Sequence, residues 1–187
     1  MSRPPGQITD VEPLEMWEYN LIMPRLEPHW QLFYELLWET GIRVSEALRL
    51  TRKDFVDNNL RLVRVMRSKR KDHPIDSLPL SLSLWSRFQV WFQFNQRQRI
   101  FPYTASAAWL AVKKACVAAG VRQSIHPHSF RHGFGHRAAH ANLGGGNALE
   151  QLAIIQRMMG HKNIESTSRY TKSTQAEIEA AFRKLNT

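Results

Sequence analysis

The chain has 187 residues, a formal net charge of +10 and 43% hydrophobic residues, including six Trp and nine Phe, so it can build one domain with a real core, or at most two small ones. One cysteine, Cys116, excludes an intrachain disulfide framework and gives no Cys-based zinc site, and no apolar run reaches membrane-spanning length. The basic excess favours a polyanionic partner, nucleic acid being the commonest, and Met1-Ser2-Arg3-Pro4-Pro5 lacks the apolar stretch of a secretory leader, so the cytoplasm is the expected compartment.

Residues 1–9 read as a flexible lead. Asp10 is placed to cap a helix that Pro24 stops after Met23. Beyond Pro28, Trp30, Phe33, Tyr34 and Leu37 recur at helical spacing up to Thr40-Gly41, and a third helix carries Val44, Ala47 and Leu48. The period then changes. Residues 60–66 roughly alternate apolar and basic side chains, as a half-buried strand does, 67–73 read as a hairpin loop, and Ile75–Leu80 as a return strand that Pro74 and Pro79 confine to an edge. Helix resumes over 81–97, with Trp85, Phe88, Trp91, Phe92 and Phe94 at core spacing. A further helix runs from Thr104 as cap to Ala119, closed by Gly120, with Cys116 inside. Ser129–Ala141 reads as helix and the Gly144-Gly145-Gly146 triplet breaks it. Leu149–Met159 is again helical, and Thr174 with Glu177 forms a capping box opening a last helix striped by Ile178, Ala181, Phe182 and Leu185. There is no internal repeat. The fold class that follows is mainly α with a small antiparallel β-sheet, an α+β domain.

Three separated segments carry chemistry: Thr40-Gly41-Ile42-Arg43-Val44-Ser45-Glu46, His126-Pro127-His128-Ser129-Phe130-Arg131-His132-Gly133, and Met159-Gly160-His161 followed by Tyr170 in Thr167-Ser168-Arg169-Tyr170-Thr171. Attack at a phosphodiester builds negative charge on the non-bridging oxygens. Guanidiniums answer it with planar paired donors that stay charged, and a Tyr phenol can hold the phosphorus covalently. His128 and Arg131, three apart, share one helix face. The order Arg, His-x-x-Arg, Gly-His, Tyr resembles the catalytic domain of the tyrosine recombinases (phage integrase family), from about residue 8 to the end.

That resemblance implies a tyrosine recombinase catalytic domain in which Tyr170 is the nucleophile. Arg43 and Arg131 would clamp the phosphate, and His128 would activate Tyr170 or donate to an oxygen. His161 would bond another oxygen, and Glu46 would orient the site by holding His128 or a neighbouring base. The acid for the leaving 5′-oxygen would be Lys69 in the hairpin loop, with Lys71 as the alternative. The resemblance further implies a 3′-phosphotyrosyl intermediate and no cofactor, since the bond energy is stored in the intermediate. The extra histidines His126, His132 and His136 have no Asp, Glu or Cys completing a metal set, so no metal is expected. Arg67, Arg70 and Lys71 would lie along the DNA backbone, with Lys113 and Lys114 on a helix resembling the one that enters the major groove.

Two features depart from the family pattern. The interval between Arg131 and His161 is long, as an insertion around 143–149 would make it. The chain is also expected to be one catalytic domain over 1–187 without the preceding core-binding domain, either as a piece cut from a longer protein or as a naturally short protein like the fimbrial-switch recombinases. Double-stranded DNA at specific sites, a homo-oligomer on it (a tetramer in the synapse) and a helper protein are the implied partners, with no membrane. The 174–187 helix either docks on a neighbouring subunit or folds back on its own core. A non-cleaving DNA-binding accessory protein and a type IB topoisomerase-like relaxing enzyme are the competing functions.

Overall fold

The computed structural model describes residues 12–57, 61–67 and 75–141, with 155 and 159. The chain divides into two compact units, Met1–Phe134 and Gly135–Thr187. In chain order the described elements are α1 (Met16–Ile22), α2 (Pro28–Thr40), α3 (Val44–Ala47), β1 (Phe55–Val56), β2 (Leu62–Met66), β3 (Ile75–Pro79), α4 (Leu82–Phe94), α5 (Ala105–Ala119) and α6 (Pro127–His140). Short 3-10 turns, Met23–Arg25 and Arg52–Asp54, precede α2 and β1. The architecture is mainly helical with a three-stranded antiparallel sheet in the order β1-β2-β3.

Local chemistry sets the element ends. Pro28 starts α2, where its missing N–H would be unsatisfied in any case. Ser81 Oγ accepts the Leu84 N–H at 3.1 Å to cap α4, and Thr104 Oγ accepts the Ala107 N–H at 3.1 Å to cap α5. Glu39 in turn accepts from the Ser81 hydroxyl at 2.8 Å, which ties α4 to α2. Gly120 closes α5 at φ 66°. The first helix begins at Met16 behind Glu15, later than a cap at Asp10 would place it, because Glu18 reaches back to the Glu15 N–H at 3.0 Å. Asp10 itself lies outside the described residues.

The core of the first unit is continuous. Phe33, Tyr34, Leu36 and Leu37 of α2 pack with Val63, Val65, Leu84, Phe88, Phe101, Val112, Cys116 and Phe130. Cys116 is wholly buried, as its apolar helical setting suggests. Phe94 is not core: it is 80% exposed at the last position of α4, where the helix has outrun the surface it covers. The two-residue β1 is a strand that residue patterning did not disclose, since Phe55–Val56 is too short for any period to show. Pro79 ends β3 at the sheet edge, as its missing N–H requires.

An ionic clasp positions the approach to α6. Arg122 donates from Nε to Glu18 at 2.6 Å and from Nη2 to Glu18 and the Pro13 carbonyl at 2.9 and 2.6 Å, and it pairs with Glu12. Burial pushes the Glu18 carboxyl up, but its bonds to Arg122 and to the Glu15 N–H outweigh this and hold it below the usual carboxylate range.

Candidate active site

Gly41 makes the turn out of α2. It sits at φ 65°, and its N–H closes the helix on the Leu37 carbonyl at 2.9 Å. Ile42 is wholly buried, which fixes the strand-like step into Arg43 (φ −76°, ψ 150°) just before α3. Glu46 then reaches back along its own helix. One carboxylate oxygen accepts the Arg43 backbone N–H at 2.9 Å and the other accepts Arg43 Nη1 at 2.8 Å. A single side chain thus caps α3 and orients the guanidinium.

The Glu46 side chain is 0% exposed, whereas that of Arg43 keeps 13%. A buried carboxylate needs more than one cation around it. Arg67 supplies the second, with Nη1 donating to Glu46 Oε2 at 3.3 Å and Nε donating to Asp76 Oδ2 at 2.6 Å. Burial by itself pushes the Glu46 carboxyl up. The Arg43 N–H, the Arg43 guanidinium and the Arg67 charge together hold it below the usual carboxylate range. Glu46 is therefore ionised at neutral pH.

Arg131 comes from α6 and is buried, and its Nη1 donates to the Gly41 carbonyl. That bond anchors the second guanidinium to the backbone two residues before Arg43. His128, one turn earlier on α6, is exposed, and its N–H donates to His126 Nδ1 at 3.2 Å. Burial of the His126 ring, and then the Lys113 charge, lower its pKa. A neutral ring with its proton on Nε2 accepts that bond at Nδ1.

Of the residues singled out from sequence, Arg43, Glu46 and Arg131 are brought to one corner, and His128 stands on the helix that carries Arg131. Glu46, expected to hold His128 or a neighbouring base, grips Arg43 and Arg67. Arg67, placed by sequence in a loop along DNA, has a side chain that is 0% exposed and engaged by two carboxylates. Lys113 donates to the Gln123 carbonyl and lies 5.2 Å from the Trp109 ring, while Lys114 is exposed. Tyr170, His161, Lys69, Arg70 and Lys71 lie outside the described residues, as do the proposed 143–149 insertion and the 174–187 helix.

Sequence reading missed Asp76 and the Gly41 carbonyl. Asp76 carried a usable signal: it stands opposite Val65 in the register and shares its inward face with Leu78. Among the described residues, no three His, Cys, Asp or Glu side chains are grouped to hold a metal ion, and no helix is long and apolar enough to cross a membrane.

Comparison with known proteins adds four findings. The sequence pattern of the phage integrase family matches residues 13–177. The chain is 32% identical over 164 residues to the tyrosine recombinase XerD of Chlorobaculum tepidum, covering 81% of this chain and 51% of that protein. Its fold resembles that of the XerH site-specific recombinase bound to palindromic difH substrate in a post-cleavage complex (TM-score 0.76, 18% identity, 97% of this chain and 56% of that one). It also resembles the catalytic domain of bacteriophage HP1 integrase (TM-score 0.62, 23% identity, 91% of this chain and 93% of that one). The chain spans about half the length of the curated relatives it matches.

Proposed function

The chain belongs to the phage integrase family, and from that premise we propose that it is the catalytic domain of a site-specific DNA recombinase that cuts and rejoins strands through a 3′-phosphotyrosyl intermediate. The observation that carries this reading is the arginine corner. Two guanidiniums from distant segments, Arg43 and Arg131, are fixed around the Gly41–Arg43 turn by Glu46 and by the Gly41 carbonyl. Such preorganised, permanently charged donors suit the negative charge that develops on a phosphate under attack.

In this proposal the Tyr170 phenolate oxygen attacks phosphorus, a new P–O bond forms and the P–O5′ bond breaks. His128 takes the phenol proton or donates to a phosphate oxygen, and His161 bonds another oxygen. The leaving 5′-oxygen takes a proton from Lys69, or from Lys71 if the hairpin is shifted. A 5′-hydroxyl of the partner strand later attacks the phosphotyrosine, restoring Tyr170 and a DNA phosphodiester. One phosphodiester is exchanged for another, so the reaction balances without a nucleotide cofactor. Double-stranded DNA is the partner, with Lys114, Lys113, Arg70 and Lys71 proposed along its backbone. A homo-oligomer on DNA, tetrameric in synapsis, a helper protein and a nucleoid-associated, cytoplasmic setting belong to the same proposal. So do the single catalytic domain over 1–187 and an exchange of the 174–187 helix between subunits. Whether the outcome is integration, excision or inversion depends on how the sites are arranged.

A duplex carrying a nick beside the scissile phosphate, drawn from inverted repeats flanking the gene, tests the reading. The nicked end diffuses away and traps the adduct. A covalent protein–DNA band with this chain, absent in Tyr170→Phe, is expected. Binding of that duplex with no adduct would favour a non-cleaving accessory protein instead. Relaxation of plasmids without any repeat would favour a topoisomerase.

A further inference from the structure

Arg67 is a fully buried charge that the cleavage scheme does not use. Among the described residues it is the largest side chain with no exposure at all, and it sits where the inward row of β2, Val63 then Val65, delivers its next residue. An apolar side chain would fill that place at less desolvation. The guanidinium instead spans two elements, with Nε on Asp76 of β3 and Nη1 on Glu46 of α3. Glu46 in turn holds both the backbone and the guanidinium of Arg43. The chain of contacts is therefore Asp76–Arg67–Glu46–Arg43, running from the sheet into the phosphate corner.

We infer that Arg67, braced by Asp76, is a positioning residue that holds Glu46, and through it the Arg43 guanidinium, in the geometry needed to clamp the phosphate. The inference rests on the recombinase reading of the Arg43 corner. Its physical basis is charge as well as shape. Glu46 alone beside Arg43 would cancel the cation meant for the phosphate. With Arg67 on the same carboxylate, the Glu46 charge is shared between two guanidiniums and Arg43 keeps more of its own. Asp76 then answers the second cation. A guanidinium is suited to the task because it has separate donors for two carboxylates in a fixed plane, which an ammonium lacks.

Full-length chain and the variants Arg67→Met, Arg67→Lys and Asp76→Asn would be compared in three measurements. These are affinity for the nicked duplex by anisotropy, the single-turnover rate of adduct formation on it, and solvent exchange of the Arg43 Nε–H by NMR. Arg67→Met is expected to bind within about threefold of wild type and to form adduct about 100-fold more slowly, the scale of a misplaced reacting group. Arg67→Lys should recover part of that rate, and the Arg43 Nε–H should exchange faster in Arg67→Met. A wild-type adduct rate in Arg67→Met, or a loss that simply follows weaker DNA binding, would overturn the inference. Should Arg67→Met fail to fold by thermal melting, Asp76→Asn is read the same way: slower adduct formation at unchanged affinity supports the brace, and a wild-type rate overturns it. If the wild-type chain forms no adduct at all, the recombinase reading falls by itself. The NMR measurement then still decides on Arg67, with unchanged Arg43 exchange counting against the brace.

Discussion

Substituting alanine at Gly41 and at Gly120 separates backbone strain from packing at the active-site corner. Both glycines hold almost the same left-handed conformation, φ 65° and 66°. A side chain in that region costs about 1–2 kcal/mol at either position. The unfolded chain loses the same conformational freedom in both variants, so that effect cancels in the comparison. The surroundings differ. A Cβ at Gly120 would meet nothing within 4 Å, whereas at Gly41 it would run into the Phe134 ring. Overpacking of a tight interior adds about 1–3 kcal/mol, so Gly41→Ala should lose about 2–5 kcal/mol against about 1–2 kcal/mol for Gly120→Ala. For a chain of this size that difference corresponds to a melting temperature lower by roughly 2–12 °C in Gly41→Ala than in Gly120→Ala. Urea titration followed by Trp fluorescence measures both variants on one scale. Equal losses would refute the packing argument.

Glu46 is held low in the folded chain, so its stabilisation is complete above its unfolded pKa of about 4.3 and fades as pH falls through the lower folded value. Glu46→Gln should therefore show a shallower loss of stability than wild type between about pH 5 and pH 3. Glu18, held low beside Arg122, acts with the same sign, and the slope left in Glu46→Gln should shrink further when Glu18→Gln is added. On the cleavage scheme, Lys69→Ala should react slowly on ordinary DNA and recover on DNA with a 5′-bridging sulfur, which leaves without a proton. If Lys71→Ala alone recovers, the acid is Lys71. Exposed Lys114 should behave as a phosphate contact, so Lys114→Ala lowers the salt dependence of DNA binding by about one counterion. Lys113, already donating to the Gln123 carbonyl, should contribute less to that slope.

What could be read from the sequence was what repeats or has fixed spacing. Helices α2, α4 and α5 follow from apolar periodicity and from Pro28, Ser81, Thr104 and Gly120 at their ends. Arg43 and Arg131 stood out because a cationic corner for phosphate uses few residue types, and Glu46 because the ordered motifs resemble the family. What escaped was local and pairwise. The start of α1 was set by Glu18 reaching back to Glu15, which outcompetes a nominal cap farther upstream. Phe94 satisfied the helical period yet faced solvent, because periodicity says which side a residue is on and nothing about where the covering surface stops.

Arg67 shows why composition misleads about charge. An arginine beside lysines in a hairpin reads as surface and as a DNA contact. The alternation along β2 says otherwise: Val63 and Val65 are buried, Arg64 and Met66 are exposed, and the next residue in the same register points inward. Two indications thus conflict at position 67, one from residue type and one from backbone period. The period wins because a one-residue slip would turn Val63 and Val65 to solvent, whereas a buried guanidinium needs only carboxylates within reach. Glu46 and Asp76 are those carboxylates. The three charges make sense only together. Removing one leaves two buried ions mismatched, while replacing all three by apolar residues would relieve the burial and leave Arg43 without its orienting carboxylate. The arrangement therefore follows from the demands on Arg43 more than from stability.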